Sequence, residues 1–88
     1  MTSKNEIIEA SKNYFNNKFG PQEFIAGETY IPPSGKVLDS DDCGYLIDAS
    51  LDMWLTAGRF ASEFEASLAQ KFGKKIAKLT VSGSAANL

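Results

Sequence analysis

The chain has 88 residues, 43% hydrophobic and 23% charged, with nine basic side chains against eleven acidic ones and a net charge of -2. That length accommodates one small domain, the hydrophobic content argues against a disordered polymer, and the charge balance argues against the basic footprint of a nucleic-acid binder. No apolar run approaches the ~18–20 residues that span a bilayer, and the polar residues scattered through positions 1–15 do not read as a secretory leader, so a cytoplasmic protein without membrane contact is expected.

The first predicted element is a helix. Ser3 and Glu6 have the spacing of a capping box, in which the serine accepts from the N3 amide and the glutamate reaches back. Ile7, Ile8, Tyr14, Phe15 and Phe19 follow at helical period, with Ser11 and Lys18 filling the stripe, until Gly20-Pro21 ends it. From Gln22 to Lys36 the chain reads as extended, because Pro32 and Pro33 lack amide hydrogens and restrict their predecessors. It is either a surface connector or a strap docked on another part of the protein. A second helix is predicted from Asp39 or Ser40. Cys43, Leu46, Ile47, Ser50, Leu51 and Trp54 recur at three- and four-residue spacing, and Thr56-Ala57-Gly58 stops the run.

A third helix carries Phe60, Phe64, Leu68 and Phe72 as a core stripe and closes at Gly73. Lys71, Lys74, Lys75 and Lys78 around its end read as a solvated group. Ala77, Leu79 and Val81 then alternate with Lys78, Thr80 and Ser82, which predicts a strand. Ser82-Gly83-Ser84-Ala85-Ala86-Asn87-Leu88 reads as a tight turn entering a fourth helix. A lone strand leaves its backbone groups unpaired, so the expectation is a piece of a larger fold, divided as 1–38, 39–73 and 74–88.

The absence of histidine removes Ser-His and Cys-His nucleophilic pairs and the commonest zinc ligand. One cysteine, Cys43, cannot build a disulfide framework or a metal centre by itself, and it reads as a small hydrophobe rather than a reactive thiol. No metal site is predicted, and Asp39, Asp41 and Asp42 are better explained by helix capping. The strand–turn–helix junction is the best candidate for chemistry. Unpaired amides at a helix start, a glycine that permits close approach and two serine hydroxyls describe an anion or phosphate cradle. A loop of the same composition that binds nothing remains open at this point. It is not a P-loop, which would need a lysine in GxxxxGK[ST]. The second candidate is the turn Trp54–Phe60, where Thr56, Gly58 and Arg59 offer a hydroxyl, an open backbone and a planar fork. The alternative is a helix–helix turn with Trp54 and Phe60 in the core.

Taken together, WLTAGRFASEFEASLAQKFG, the short run after it and SGSAANL resemble the N-terminal part of the DegT/DnrJ/EryC1/StrS family. These are sugar-nucleotide enzymes of the fold-type-I, aspartate-aminotransferase-like class. Trp54 to Gly58, Phe64-Glu65, Gly73 and Ser82 to Ala86 match the family pattern. Arg59-Phe60, Ala86-Asn87-Leu88 and the upstream YIPPSGKVLD (Tyr30 to Asp39) look like its lipopolysaccharide-biosynthesis branch, the CDP-4-keto-6-deoxy-D-glucose-3-dehydrase type.

The resemblance implies an α/β fold, with this chain as the N-terminal fragment of a pyridoxal-phosphate-dependent transferase domain: three helices, one strand and the start of a fourth helix. It implies that pyridoxamine phosphate condenses with a 4-keto sugar nucleotide and that proton loss then expels the C3 hydroxyl. A [2Fe-2S] cluster and a flavin/iron–sulfur reductase partner would supply electrons. In that scheme the amides of Gly83, Ser84 and Ala85 hold the cofactor phosphate, Ser82 and Asn87 shape the turn, and Thr56, Gly58 and Arg59 face the nucleotide sugar. The residue acting on the cofactor and the cluster cysteines fall outside these residues, so the chain alone is expected to be inactive. A homodimer is also implied. Two other functions stay open: a nucleotide-sugar aminotransferase of the same family, and a non-catalytic small helical binding module.

Overall fold

Ser3 starts the first helix, α1 (Lys4–Phe19), in the computed structural model, which describes residues 1–88. Its hydroxyl accepts the Glu6 N–H at 3.2 Å, but no bond returns from the Glu6 side chain. The reciprocal box belongs instead to α2 (Ser40–Leu51). Asp39 accepts the Asp42 N–H at 3.0 Å, and the Asp42 carboxylate accepts the Asp39 N–H at 2.8 Å. Two carboxylates thus satisfy orphan donors at the positive pole of α2. At the other end of α1, Gly20 has φ -60, so it is not the left-handed cap that glycine would permit.

The chain divides into two compact units, Met1–Met53 and Trp54–Leu88. In the first, α1 and α2 pack side by side. Gly44 is the buried residue of α2 and lies against Ile8 and the stem of Lys12. Ion pairs frame this contact, Lys4–Asp48 and Lys12–Asp41, each at 3.1 Å. Cys43 is half-buried, and its thiol donates to the Ser11 carbonyl at 3.8 Å.

Residues 22–36 are exposed throughout and form no regular element, as a surface connector would. They contain one closed turn, in which the Ile25 carbonyl accepts from Glu28 and Thr29 while Gly27 takes φ 83. Helix α2 ends earlier than its apolar spacing predicts. Asp52 is its C-cap, and Met53 turns left-handed at φ 51. Trp54 therefore stands outside the helix.

The second unit contains α3 (Arg59–Lys71) and α4 (Gly83–Ala86). The end of α3 is a Schellman closure: Lys74 N–H bonds to Ala69 O at 2.8 Å and Gly73 N–H to Gln70 O at 3.2 Å, with Gly73 at φ 63. The covered residues of α3 are Phe60, Ala61, Glu65 and Ala69. This corrects the expected phenylalanine core stripe, since Phe64 and Phe72 are 51% and 64% exposed. Spacing put those rings on one face, but past Phe60 that face stays open at Phe64 and Phe72.

The predicted strand over Ala77–Val81 does not form. The structure is helical, without a strand, so the α/β architecture is not present in this chain. The alternation is real, but a strand exists only with a partner for its N–H and C=O groups, and the chain holds no second one. The expected helix start after the Ser82 turn is present as α4, with Ser82 as its N-cap. No helix is long and apolar enough to cross a membrane.

Candidate functional site

Ser82 builds the turn before α4. Its hydroxyl accepts the Ala85 N–H at 3.0 Å, its carbonyl accepts the Ala86 N–H at 3.1 Å, and the Thr80 hydroxyl donates to the same carbonyl at 2.9 Å. The amides of Gly83 and Ser84 meet no acceptor in the chain. A Cβ built on Gly83 would meet nothing within 4 Å, so the space beside these two donors is open. Donors of this kind suit the oxygens of a phosphate. The three amides expected to face a phosphate are not alike. Gly83 and Ser84 keep their amides available, while the Ala85 amide is already taken by Ser82. The Asn87 N–H bonds to the carbonyls of Ser84 and Ala85.

Thr56, Gly58 and Arg59 occupy a separate setting at the start of α3. The Trp54 indole N–H donates to the Ala57 carbonyl at 3.0 Å and closes the turn. Gly58 is the N-cap, and a Cβ on it would come within 3.2 Å of the Trp54 ring. The indole therefore rests on the bare face of this glycine. The Arg59 guanidinium lies 4.1 Å over the Phe60 ring. Thr56 is exposed, and Trp54 is itself 66% exposed rather than in a core.

Glu65 is a residue that sequence reasoning carried only as a letter of the family pattern. Its carboxylate accepts the Leu79 N–H at 2.9 Å, fourteen positions away, and so ties α3 to the segment that leads into the Ser82 turn. The only earlier signal was a charged residue standing four before Ala69 and four after Ala61.

Elsewhere the polar groups serve the fold. Asp39 and Asp42 cap α2, and Asp41 pairs with Lys12. The Asp41 hydrogen bond, and then the nearby Glu9 carboxylate, raise the Lys12 pKa above its ordinary 10.5. No three His, Cys, Asp or Glu side chains converge as metal ligands would. An open groove of about 450 Å³ between Phe15, Phe19, Lys36 and Leu38 is mainly apolar.

The relatives of this chain are proteins of sugar and lipopolysaccharide biosynthesis. Over 91 aligned residues it is 41% identical to the lipopolysaccharide biosynthesis protein RfbH of Salmonella typhimurium, covering 100% of this chain and 21% of that protein. Over 86 residues it is 42% identical to the dTDP-4-dehydro-2,6-dideoxy-D-glucose 3-dehydratase of Saccharopolyspora spinosa, covering 98% of this chain and 18% of the enzyme. The chain thus spans about a fifth of the length of these curated relatives. No protein-family model and no solved structure matches it.

Proposed function

We propose that this chain is the N-terminal part of a nucleotide-sugar 3-dehydratase that works with pyridoxamine phosphate. The reading is carried by 42% identity, along 98% of the chain, to a protein named for that reaction. That name favours dehydration over transamination. It also carries dTDP, so the nucleotide expected from the resemblance, CDP, is kept here only as one candidate base. The exposed apolar side chains support a part of a larger body over a self-standing helical module. Ala69 is the one buried hydrophobic residue, while Trp54, Phe64, Phe72 and Ile76 are each more than half exposed.

In this reading Gly83 and Ser84 hold the cofactor phosphate through their free amides, with the Ser84 hydroxyl beside them. Ser82 keeps the turn in shape by taking the Ala85 amide, and Asn87 shapes it from the other side through its N–H. Thr56, Gly58 and Arg59 face the nucleotide sugar. When bound, the cofactor supplies an amine for the sugar ketone and an electron sink that lets the 3-hydroxyl leave. The group that moves the proton, the [2Fe-2S] ligands and the reductase docking surface belong to the rest of the enzyme, which works as a cytoplasmic homodimer.

A graft tests this. The aligned stretch of the Saccharopolyspora spinosa enzyme is replaced by this chain, and turnover of dTDP-4-dehydro-2,6-dideoxy-D-glucose is measured. Retained 3-dehydratase activity is expected. A folded, cofactor-loaded chimaera without turnover would overturn the assignment.

A further inference from the structure

The covered face of α3 runs through Ala61, Glu65 and Ala69, one residue per turn. Two of these are small and apolar, as such a stripe requires. The middle one is a half-covered carboxylate, and one of its oxygens finds a donor. Its donor is the Leu79 N–H at 2.9 Å. Leu79 lies three residues before Ser82, in a segment with no strand or helix of its own to fix it. After the Schellman closure at Lys74, the Glu65–Leu79 bond anchors the stretch 75–81 before Ser82 begins its own turn.

We infer that Glu65 is a positioning residue: by holding the Leu79 amide it sets where the Ser82–Asn87 turn stands relative to α3. This rests on the reading of that turn as the phosphate cradle. A bond between a backbone N–H and a charged acceptor is among the stronger ones available to an exposed segment. The bond fixes backbone and not a side chain, so the position holds whatever side chain stands at Leu79.

Amide hydrogen exchange and amide chemical shifts of residues 54–88, read in the cofactor-free grafted dehydratase with this stretch isotope-labelled, test the inference. Three variants are compared with the parent. Glu65→Ala and Glu65→Lys remove the acceptor, and Glu65→Gln keeps one without the charge. Alanine is the strongest helix former, so α3 itself should survive, and exchange at Phe72 and Lys74 reports on it independently. The expected result is exchange at Leu79 about fivefold faster in Ala and Lys, the scale of one such bond partly screened by water. Shifts should also move at Gly83 and Ser84, and Gln should restore both. Unchanged Leu79 exchange in Glu65→Ala would overturn the inference. So would faster exchange that leaves the Gly83 and Ser84 shifts in place, because the turn would then be positioned by something else.

Adding inorganic phosphate separates the two readings. If the parent's Gly83 and Ser84 amides ignore phosphate, the cradle reading fails while the Glu65 result stands on its own measurements.

Discussion

Gly44 of α2 faces Lys12 of α1 so closely that a Cβ on it would stand 3.3 Å from Lys12 Cδ and 3.4 Å from Ile8 Cγ2. A glycine inside a helix gives up about 1 kcal/mol relative to alanine, and here that loss lets two helices approach. One methyl group meets first the flexible stem of a lysine, which can yield. Gly44→Ala is therefore expected to be neutral to within about 0.5 kcal/mol, helix propensity offsetting the squeeze. Gly44→Leu cannot be absorbed and should cost about 1–3 kcal/mol. Urea titration of the grafted dehydratase reads both. Equal tolerance of alanine and leucine would mean that α1 and α2 do not pack along this residue.

Lys12 bridges the same two helices through Asp41 at 3.1 Å, with Glu9 of its own helix at 3.7 Å. Its pKa is raised above 10.5, by the Asp41 hydrogen bond first. A raised pKa means that the folded state favours the protonated lysine. The stabilisation is fully present below the unfolded value and is lost as pH rises through the folded one. The α1–α2 pairing should therefore be insensitive to this group at neutral pH and loosen only above pH 10.5. Lys12→Met, which keeps the stem and removes the charge, should abolish that alkaline step. Because the pair is exposed, added salt should shrink the step as well. Comparing helix content of parent and variant from pH 9 to 12 isolates the contribution of Lys12.

Caps and closures were readable because they are chemistry among three or four neighbours. Ser3, Asp39 and Gly73 each stand at the helix end that their residue types suggest. The end of α2 was not readable. Trp54 continues the apolar spacing, and nothing about a methionine announces φ 51 at Met53. Residues Ala77–Val81 carry a strand's alternation, but pairing depends on a partner that no local pattern supplies. The Phe64, Leu68 and Phe72 spacing says that these side chains share a face, not that anything covers it. At the candidate site, the composition of Ser82–Ala85 pointed to a turn with free amides. That Ser82 itself takes the Ala85 amide depends on the turn's geometry, which composition does not fix.

The open apolar face has a thermodynamic consequence. Ala69 is the single buried hydrophobic residue, and Leu55, Phe72 and Ile76 are exposed by 90%, 64% and 72%. Burial of apolar surface drives cooperative folding at about 25 cal/mol per Å², and little of it is realised within these 88 residues. The isolated chain is expected to melt over a broad range and to enhance the fluorescence of anilinonaphthalene sulfonate before heating. A sharp two-state transition with no dye response would restore the self-standing helical module.

Gly83 allows the phosphate reading to be tested without disturbing the fold. A Cβ there meets no atom within 4 Å, so a larger side chain enters open space and not the protein. In the proposed reading, a phosphate reaches the Gly83 and Ser84 amides through that open space. A β-branched residue at Gly83 leaves both N–H groups in place but stands in the path to them. In the grafted dehydratase, Gly83→Val should therefore lower affinity for pyridoxamine phosphate by about tenfold or more, the equivalent of one hydrogen bond to a charged oxygen. Gly83→Ala, with a single methyl, should lose less. Thermal stability measured without cofactor should differ little between parent and variants, since a Cβ at Gly83 meets no atom of the fold. Full cofactor retention by the valine variant would place the phosphate somewhere other than this turn.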